Sequence, residues 1–529
     1  MISMRLKAVL LNSLLFCITT VCAQHRDISM IEDRNSWLTS GNAAALTTYA
    51  DSSISVAMLG YRYEGGRLRN YSDGSHEMTL KASARSYQRL SPQVVAYGCI
   101  GYENFSGTSM GGSMLQRDKS ALGLQTRLQP FDILDDSLTN AGRKHCEKFC
   151  ITGSVGWNAY RGLSLGASAD FTAGTYAKYK DLRHSNTLMD LRSALSIHQS
   201  IPSWGSVGGC FLYNRSTETV TFSTFGTTDR VYKSLIAYAN FMGEVETFGT
   251  EGFTEENREQ PLLNEQVGLS LQLLTKDWQG FSLAGGFTFL HRTGYYGRQS
   301  QYTTSYANHD GNEYQWHIRL SLPSYRRMML HFLDFNLTSE GLTIRRTNYR
   351  QVRSMQGGQS VTYYEYYTPT KVADKLLHQG RIAYTAYLQS AKGETMGGFS
   401  VGSTFWMRKQ TVYLYPLSYT QHLKTWQPFI KGHRHFSLGT AKTLTAEASV
   451  ALNLGSGTAM EKGALECEYI TATQLLAHAM ATYEFPLRGV SGQLPCISLR
   501  YDVRKATSHT DYLAGSVRQQ LTIAVGITF

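Results

Sequence analysis

Ionisable side chains recur at alternate positions of extended stretches through this chain. They are Lys81 and Arg85; Asp170; Glu313, His317 and Arg319; Arg381; Glu447; His478 and Glu484; Arg500, Asp502 and Arg504; and Arg518. A spacing of two puts the members of each group on one face of a strand. Acids, bases and imidazoles in such rows could hold a polar solute by fixed charge and hydrogen bonding, or could cancel one another as salt-bridged filler. The densest set is near the end of the chain, where Arg500, Asp502 and Arg504 share a face and Arg518 is expected across from them. No Gly-x-Ser-x-Gly, His-Glu-x-x-His or strand-to-helix Gly-x-Gly-x-x-Gly accompanies them. The chain therefore reads as a non-enzyme, with no catalytic, cofactor-binding or metal-binding residue assigned and no cofactor expected. Lys431-Gly432-His433 with His435 is a basic spot, but no carboxylate spacing completes a metal site there.

A second group is aromatic. Tyr295, Tyr296, Tyr302 and Tyr306, and then Tyr363, Tyr364, Tyr366 and Tyr367, fall in stretches read as long loops. Rigid amphipathic rings suit sugar stacking or a protein partner. The competing reading is strand continuation above a girdle of interfacial aromatics.

The elements that would position these residues are strands with one oily and one polar face. Val517–Phe529 sets the type: Val517, Leu521, Ile523, Val525, Ile527 and Phe529 alternate with Arg518, Gln520, Thr522, Ala524, Gly526 and Thr528. A strand buried on both sides would be apolar throughout, whereas lipid on one side and a polar lumen on the other gives this pattern. The competing fold is a soluble sandwich with this segment at its edge.

Similar stretches fall at Ile54–Tyr63, Met78–Arg85, Val94–Tyr102, Phe149–Asn158, Leu163–Thr172 and Asn186–Ser200. They continue at Trp204–Asn214, Gln266–Thr275, Gly280–His291, Tyr314–Leu322, Arg326–Asn336 and Gly380–Ser390. The last are Met396–Lys409, Leu423–Arg434, Thr443–Leu454, Gln474–Leu487, Pro495–Arg504 and Val517–Phe529, eighteen in all. The fold class expected is all-β: a transmembrane outer-membrane β-barrel of about 18 antiparallel strands, with 16 or 14 as alternatives, long extracellular loops and short periplasmic turns. Two spans are weak, Arg326–Asn336 because Arg326 and Asp334 interrupt the oily face, and Leu423–Arg434 because it alternates poorly. Thr219–Ser223, Leu342–Arg346 and Ser360–Tyr367 read as extensions beyond the membrane. Arg215–Pro261 and Leu337–Leu377 read as long loops able to grip a partner.

Residues 1–23 read as a secretory signal peptide, with Arg5 and Lys7 ahead of an apolar run and Val21-Cys22-Ala23 as cleavage site; lipidation of Cys22 is the competing reading. Residues 24–52 read as a periplasmic tail or a small plug, and 53–529 as the barrel. A net charge of +11, spread along the chain with no basic tail, gives no reason to expect nucleic acid. The six cysteines outside the leader leave one or two loop disulfides open.

The aromatic last position resembles the closing-strand signal of Gram-negative outer-membrane barrels. Asn42-Ala43-Ala44-Ala45-Leu46 is similar to the segment that opens the fatty-acid channel (hydrophobe transporter) group, with Ala43 in place of its proline. That resemblance implies an inward-folded plug. Over nearly all of the mature chain the pattern resembles an uncharacterised Bacteroidota outer-membrane barrel family, carried by Trp37–Ala44, Gly101–Gly107 and Lys180–Asn186. The resemblances imply a barrel in the outer membrane of a Gram-negative bacterium, among outer-membrane lipid and lipopolysaccharide. They leave two functions: a passive, possibly plugged channel for a polar or amphiphilic solute, or a structural subunit with a filled lumen beside an outer-membrane lipoprotein, nutrient-import, secretion or barrel-assembly partner.

Overall fold

The computed structural model describes residues 28–50, 53–135, 140–223, 225, 232–248, 261–297, 305–323, 329–357, 359–390, 395–439, 442–458, 464–487, 493–507 and 513–529. The expected signal peptide, Tyr302 and Arg326 lie outside them. Among the described residues no helix is long and apolar enough to cross a membrane.

Three strands begin the barrel: β1 (Ile54–Gly66), β2 (His76–Arg89) and β3 (Val94–Met110). After the short β4 (Asp132–Asp135) come β5 (Gly142–Tyr160), β6 (Leu163–Lys178), β7 (Arg183–Ile201) and β8 (Gly205–Ser223). A hairpin of β9 (Tyr232–Ala239) and β10 (Met242–Phe248) precedes β11 (Pro261–Thr275), β12 (Ser282–Tyr296), β13 (Ala307–Leu322) and β14 (Met329–Gln356). The rest are β15 (Gln359–Gln389), β16 (Thr395–Leu414), β17 (Leu417–Ser437), β18 (Thr443–Gly457), β19 (Gln474–Glu484), β20 (Leu494–Ala506) and β21 (Val517–Thr528). Two short helices, α1 (Ile28–Arg34) and α2 (Ala464–Thr471), complete the set.

Eighteen of these strands form one antiparallel sheet, and β4, β9 and β10 form a separate three-stranded one. The large sheet closes where β1 pairs with β21, from Val56↔Thr528 to Gly66↔Arg518, and Ser55 and Phe529 exchange both backbone hydrogen bonds at 2.8 and 2.9 Å. Each unpaired backbone group in hydrocarbon costs several kcal/mol, so closure is what permits an outer face of bare side chains. That face is apolar: Leu59, Tyr61, Ile100, Ile151, Leu195, Leu269, Ile382, Val450, Leu499 and Ile523 are all exposed. Eighteen, the leading expectation, is the number found.

Both chain ends of the barrel lie at the end with the short turns, termed lower here; the long connections gather at the upper end. The weak spans have local causes. Asp334 faces inward, where Arg319 Nε donates to its Oδ1 at 2.6 Å. In β17 the ladder to β18 skips from Trp426 to Phe429 around Pro428, which has no N–H to give.

The lumen is partly filled. Its upper half holds a dry core in which Leu115, Leu124, Leu128, Phe131 and Ile133 of the β3–β5 connection pack with Ile236 and Tyr238 of β9. Against them lie inward residues of the wall, among them Leu342, Ile344, Leu377 and Trp406. The described residues of the stretch read as a loop at Arg215–Pro261 are therefore largely strand, with β9–β10 folded inside. Leu337–Leu377 is not a loop either. Beyond the last wall pairs, Ala307↔Arg346 on one side and Ala373↔Val412 on the other, β14 and β15 pair only with each other, Asn348↔Tyr367 to Gln356↔Gln359. At about 3.4 Å per residue this ribbon stands roughly 30 Å above the rim. The six cysteines of the described residues are all free, contrary to the disulfide expectation. Five sit on the barrel wall and Cys467 on α2; Cys99 and Cys150 are diagonal neighbours on the paired strands β3 and β5, two residues out of register.

Candidate lumenal site

Two inserts divide the lumen. The lower one is residues 28–50. Asn42 caps the 3-10 turn Ala43–Thr48, accepting from Ala45 N at 3.3 Å, and its Nδ2 donates to Ile197 O and Gln272 Oε1, both at 3.0 Å. Ala44 N donates to Ser196 Oγ at 3.0 Å, and Trp37 Nε1 to Ser206 Oγ at 2.8 Å. Gly166 lies under this turn; a Cβ there would overlap the Ala44 backbone, so the close approach needs glycine. From β13 and β15, Arg319 Nη1 donates to Asp33 O at 2.8 Å and Tyr387 Oη to Asp33 Oδ2 at 2.6 Å, and from β2 Tyr87 Oη donates to Glu32 Oε1 at 2.9 Å. The segment thus crosses the lumen from β5–β8 to β13–β15.

The upper insert is the β3–β5 connection with β9–β10 and α2. Much of it has no regular structure, so its buried backbone must find partners elsewhere. The wall supplies them. Lys375 Nζ donates to Gln129 O, Gln379 Nε2 to Thr126 O, Trp406 Nε1 to Gln125 O and Lys144 Nζ to Ser113 O, each at 2.8 Å. Glu340 accepts from Leu128 N at 2.7 Å while Arg292 bonds both Glu340 and Leu128 O, at 2.7 and 2.8 Å. Arg408 grips Glu466 of α2 with two bonds of 3.1 and 3.0 Å. Burial disfavours the Glu466 and Asp132 carboxylates, but Arg408 beside the first and Arg117 beside the second more than offset it, holding both below the ordinary range. Asp73, in the β1–β2 loop, is likewise held low despite burial by Lys119 of the insert and by Arg518.

Below and beside the upper insert lie adjoining cavities. The largest, about 630 Å³, runs along β1–β3, β5, β20 and β21. A second of about 330 Å³ shares Ser120 with it, and a third of about 280 Å³ shares Asn336 and Thr338 with the second and reaches Trp37 of the lower insert. Together they make a chamber between the inserts.

The ionisable residues picked from the sequence face this interior, mostly in pairs. Lys81 meets Glu103 at 2.6 Å and Arg85 meets Glu32 at 3.4 Å. Arg500 is bidentate to Asp502, both bonds 2.8 Å. Arg504 sits opposite Arg518 in the ladder, and Glu64 bonds both, at 2.6 Å from Arg504; Arg518, 2% exposed, also reaches Glu77 at 3.1 Å. His478 spans Glu447 and Asp502 at 3.0 and 3.1 Å, with Lys431 on Glu447 at 2.8 Å. Ser449 lies across from His478, yet both ring nitrogens are taken by carboxylates, which leaves no base to activate the hydroxyl. Glu313 accepts from Gln266 at 3.2 Å, His317 bonds Asn336, and Arg381 lies 5.1 Å over the Phe429 ring. Asp170 faces the lumen opposite Arg192, and Glu484 stands at the lower end of β19. Among the described residues no His, Cys, Asp and Glu group could hold a metal.

The tyrosines are corrected in part. Tyr295 and Tyr296 end β12, and Tyr296 is fully buried against Phe131, 4.7 Å between rings, and Tyr306, 5.5 Å. Tyr296 and Tyr306 are thus core residues, because the insert fills the space a loop would have left open. Tyr363, Tyr364, Tyr366 and Tyr367 belong to the ribbon strand β15, with Tyr349 and Tyr364 edge to face at 5.5 Å.

A closed barrel with an apolar exterior, a continuous ladder and an occupied lumen is a transmembrane β-barrel. This chain belongs to the family of unknown function DUF6850, which matches residues 43–529. No curated protein is detectably similar to it. Among solved structures it is similar to the ferric preacinetobactin receptor BauA of Acinetobacter baumannii, at 8% identity and TM-score 0.39 over 91% of this chain and 80% of that one. The toluene transporter TodX of Pseudomonas putida gives 7% identity and TM-score 0.30 over 96% and 95%. A FadL homologue of Pseudomonas aeruginosa gives 11% identity and TM-score 0.27 over 92% of each. Nothing about this chain's solute follows from them.

Proposed function

We propose that the protein is an outer-membrane β-barrel of a Gram-negative bacterium, of Bacteroidota type, that admits a polar or amphiphilic solute through a plugged and gated lumen. The observation that carries this reading is the chain of adjoining cavities, of mixed polar and apolar lining, between the two inserts. In this reading the lower insert is the movable gate, since it is held by a small apolar cluster, hydrogen bonds and one partly exposed ion pair rather than by a core of its own. The test is single-channel conductance in planar bilayers. The unaltered chain should give brief or small openings, and deletion of residues 28–50 should make them sustained, with ion preference shifted by Arg500→Gln. A deletion variant that folds, shown by heat-modifiable mobility, and still conducts nothing defeats the proposal.

The ribbon above the rim favours a second reading, a subunit that docks an outer-membrane lipoprotein, import, secretion or barrel-assembly partner. Both ribbon edges, at Asn348–Gln356 and Gln359–Tyr367, lack a further strand among the described residues, and such edges accept added strands. Loss of a stoichiometric partner from mild detergent extracts when residues 348–367 are removed is the expected result; an unchanged extract speaks against it.

A further inference from the structure

The largest cavity has a charge pattern that the ion pairs around it do not exhaust. Its wall presents eight cationic and five anionic side chains. Two adjacent rows across the strands carry the excess. In one, Arg500 on β20 and Arg62 on β1 flank Thr522 of β21. In the other, Glu103 on β3 stands between Lys81 on β2 and Lys148 on β5. Arg500 is engaged by Asp502 and Lys81 by Glu103.

Arg62 and Lys148 are not so engaged. The Arg62 guanidinium donates through Nη2 to Thr79 Oγ1 at 2.9 Å, while its Nε is buried and has no acceptor. Lys148 makes no hydrogen bond or ion pair among the described residues; the Glu103 and Glu218 carboxylates are its anionic neighbours, the first already held by Lys81. Against these two cations stands one lining carboxylate without an ion pair among the described residues, Asp118 of the upper insert. A buried donor left without an acceptor is unfavourable, so the cavity is poised for an anion. Its wall is also partly apolar there, since Phe105, Met110 and Leu115 line the same space. The volume, about 630 Å³, is that of a small-molecule site.

We propose that this cavity binds an organic anion, a carboxylate, sulfonate or phosphate on a modest apolar body. Its charged oxygens lie between Arg62 and Lys148 and its body lies against Phe105, Met110 and Leu115. The proposal names the class of solute for the transport reading above and rests on the chamber being reached from solution. Its test does not need conduction.

The probe is 2-naphthalenesulfonate, with neutral 2-naphthalenemethanol as comparator, titrated by fluorescence into the full chain in uncharged detergent. The sulfonate should bind at least about tenfold more tightly than the alcohol, a difference of about 1.4 kcal/mol. The double variant Arg62→Gln/Lys148→Gln should lose most of that preference, Lys148→Arg should keep it, and Asp118→Asn should strengthen binding several-fold. Gain in one variant and loss in another are effects that general damage to the barrel would not produce. Equal affinity for the two probes, or sulfonate binding indifferent to all three changes, overturns the proposal. Saturable sulfonate binding by a chain that passes no current would leave the anion site standing and sink the transport reading. Conduction with no anion preference at Arg62 and Lys148 would do the reverse.

Discussion

The two inserts occupy one lumen and are held in different ways. The upper one has its own apolar core around Leu128 and Phe131, both fully buried, and is bolted to the wall through buried ion pairs such as Arg408–Glu466. The lower one has a small apolar cluster, Ile28, Leu46, Tyr49, Ile54, Tyr87 and Val95, hydrogen bonds to wall residues such as Tyr387 and Arg319, and one long, partly exposed ion pair, Arg85–Glu32 at 3.4 Å. Area removed from water and buried charge set the scale of each attachment. The difference separates a fixed closure above from a displaceable one below.

The largest blow to that distinction would come from the upper core. Leu128→Ala combined with Phe131→Ala should remove about 5 kcal/mol or more of the upper attachment, expose residues 111–135 to protease in an intact barrel, and raise conductance. If cleavage and current stay unchanged, the core does not hold the closure. Next comes charge. Arg408→Met strands the Glu466 carboxylate and should cost about 3–5 kcal/mol, whereas Arg408→Met with Glu466→Leu should recover most of it; hydrogen exchange across α2 reads both. Equal losses in the single and double variants would mean that the pair does not act as a unit.

Acid is the third lever, and it should act on the upper insert. Asp73, Asp132 and Glu466 are held below their ordinary values of 3.8, 3.8 and 4.5. Groups depressed in the folded state stabilise it above the unfolded pKa and lose that contribution as pH falls through the folded one. The upper insert should therefore stay seated from neutrality to about pH 4.5 and loosen only in stronger acid. Protease access to residues 111–135 followed against pH checks this; release already at pH 6 would contradict it.

Legibility followed the same division. The wall strands could be read because most repeat one local rule, an oily residue at every second position facing lipid; Arg326–Asn336 and Leu423–Arg434 follow it poorly. Arg500, Asp502 and Arg504 could be grouped for the same reason, being two apart on one strand. Their neutralising partner Glu64 could not, since it comes to Arg504 from 440 residues away across the closing seam. The upper insert was invisible because Leu115, Leu122, Leu124, Leu128 and Phe131 have no period of their own, and the wall residues that satisfy its backbone looked like ordinary lumen polarity. A signal was nevertheless present. Inward positions of β14 and β15 turn apolar above the band, at Leu342, Ile344 and Leu377, which a water-filled lumen would not favour.

The smallest expected effect is the most discriminating for the lower insert. Tyr387→Phe removes one hydroxyl that donates to Asp33 at 2.6 Å and leaves the ring in place. A hydrogen bond to a carboxylate is worth about 1.5–3 kcal/mol net, too little to unfold a barrel but enough to shift a gate equilibrium by roughly ten- to a hundredfold. Open probability in bilayers should rise by that factor while thermal stability of the barrel stays put. The same loss of one hydroxyl above, Tyr469→Phe, removes two 3.0 Å bonds, one donated to Leu122 O and one accepted from Arg504 Nη1, from a segment anchored many times over, and open probability should not move. Were both substitutions to raise it alike, the inserts would be two halves of one gate, and the contrast between a fixed upper closure and a yielding lower one would have to be abandoned.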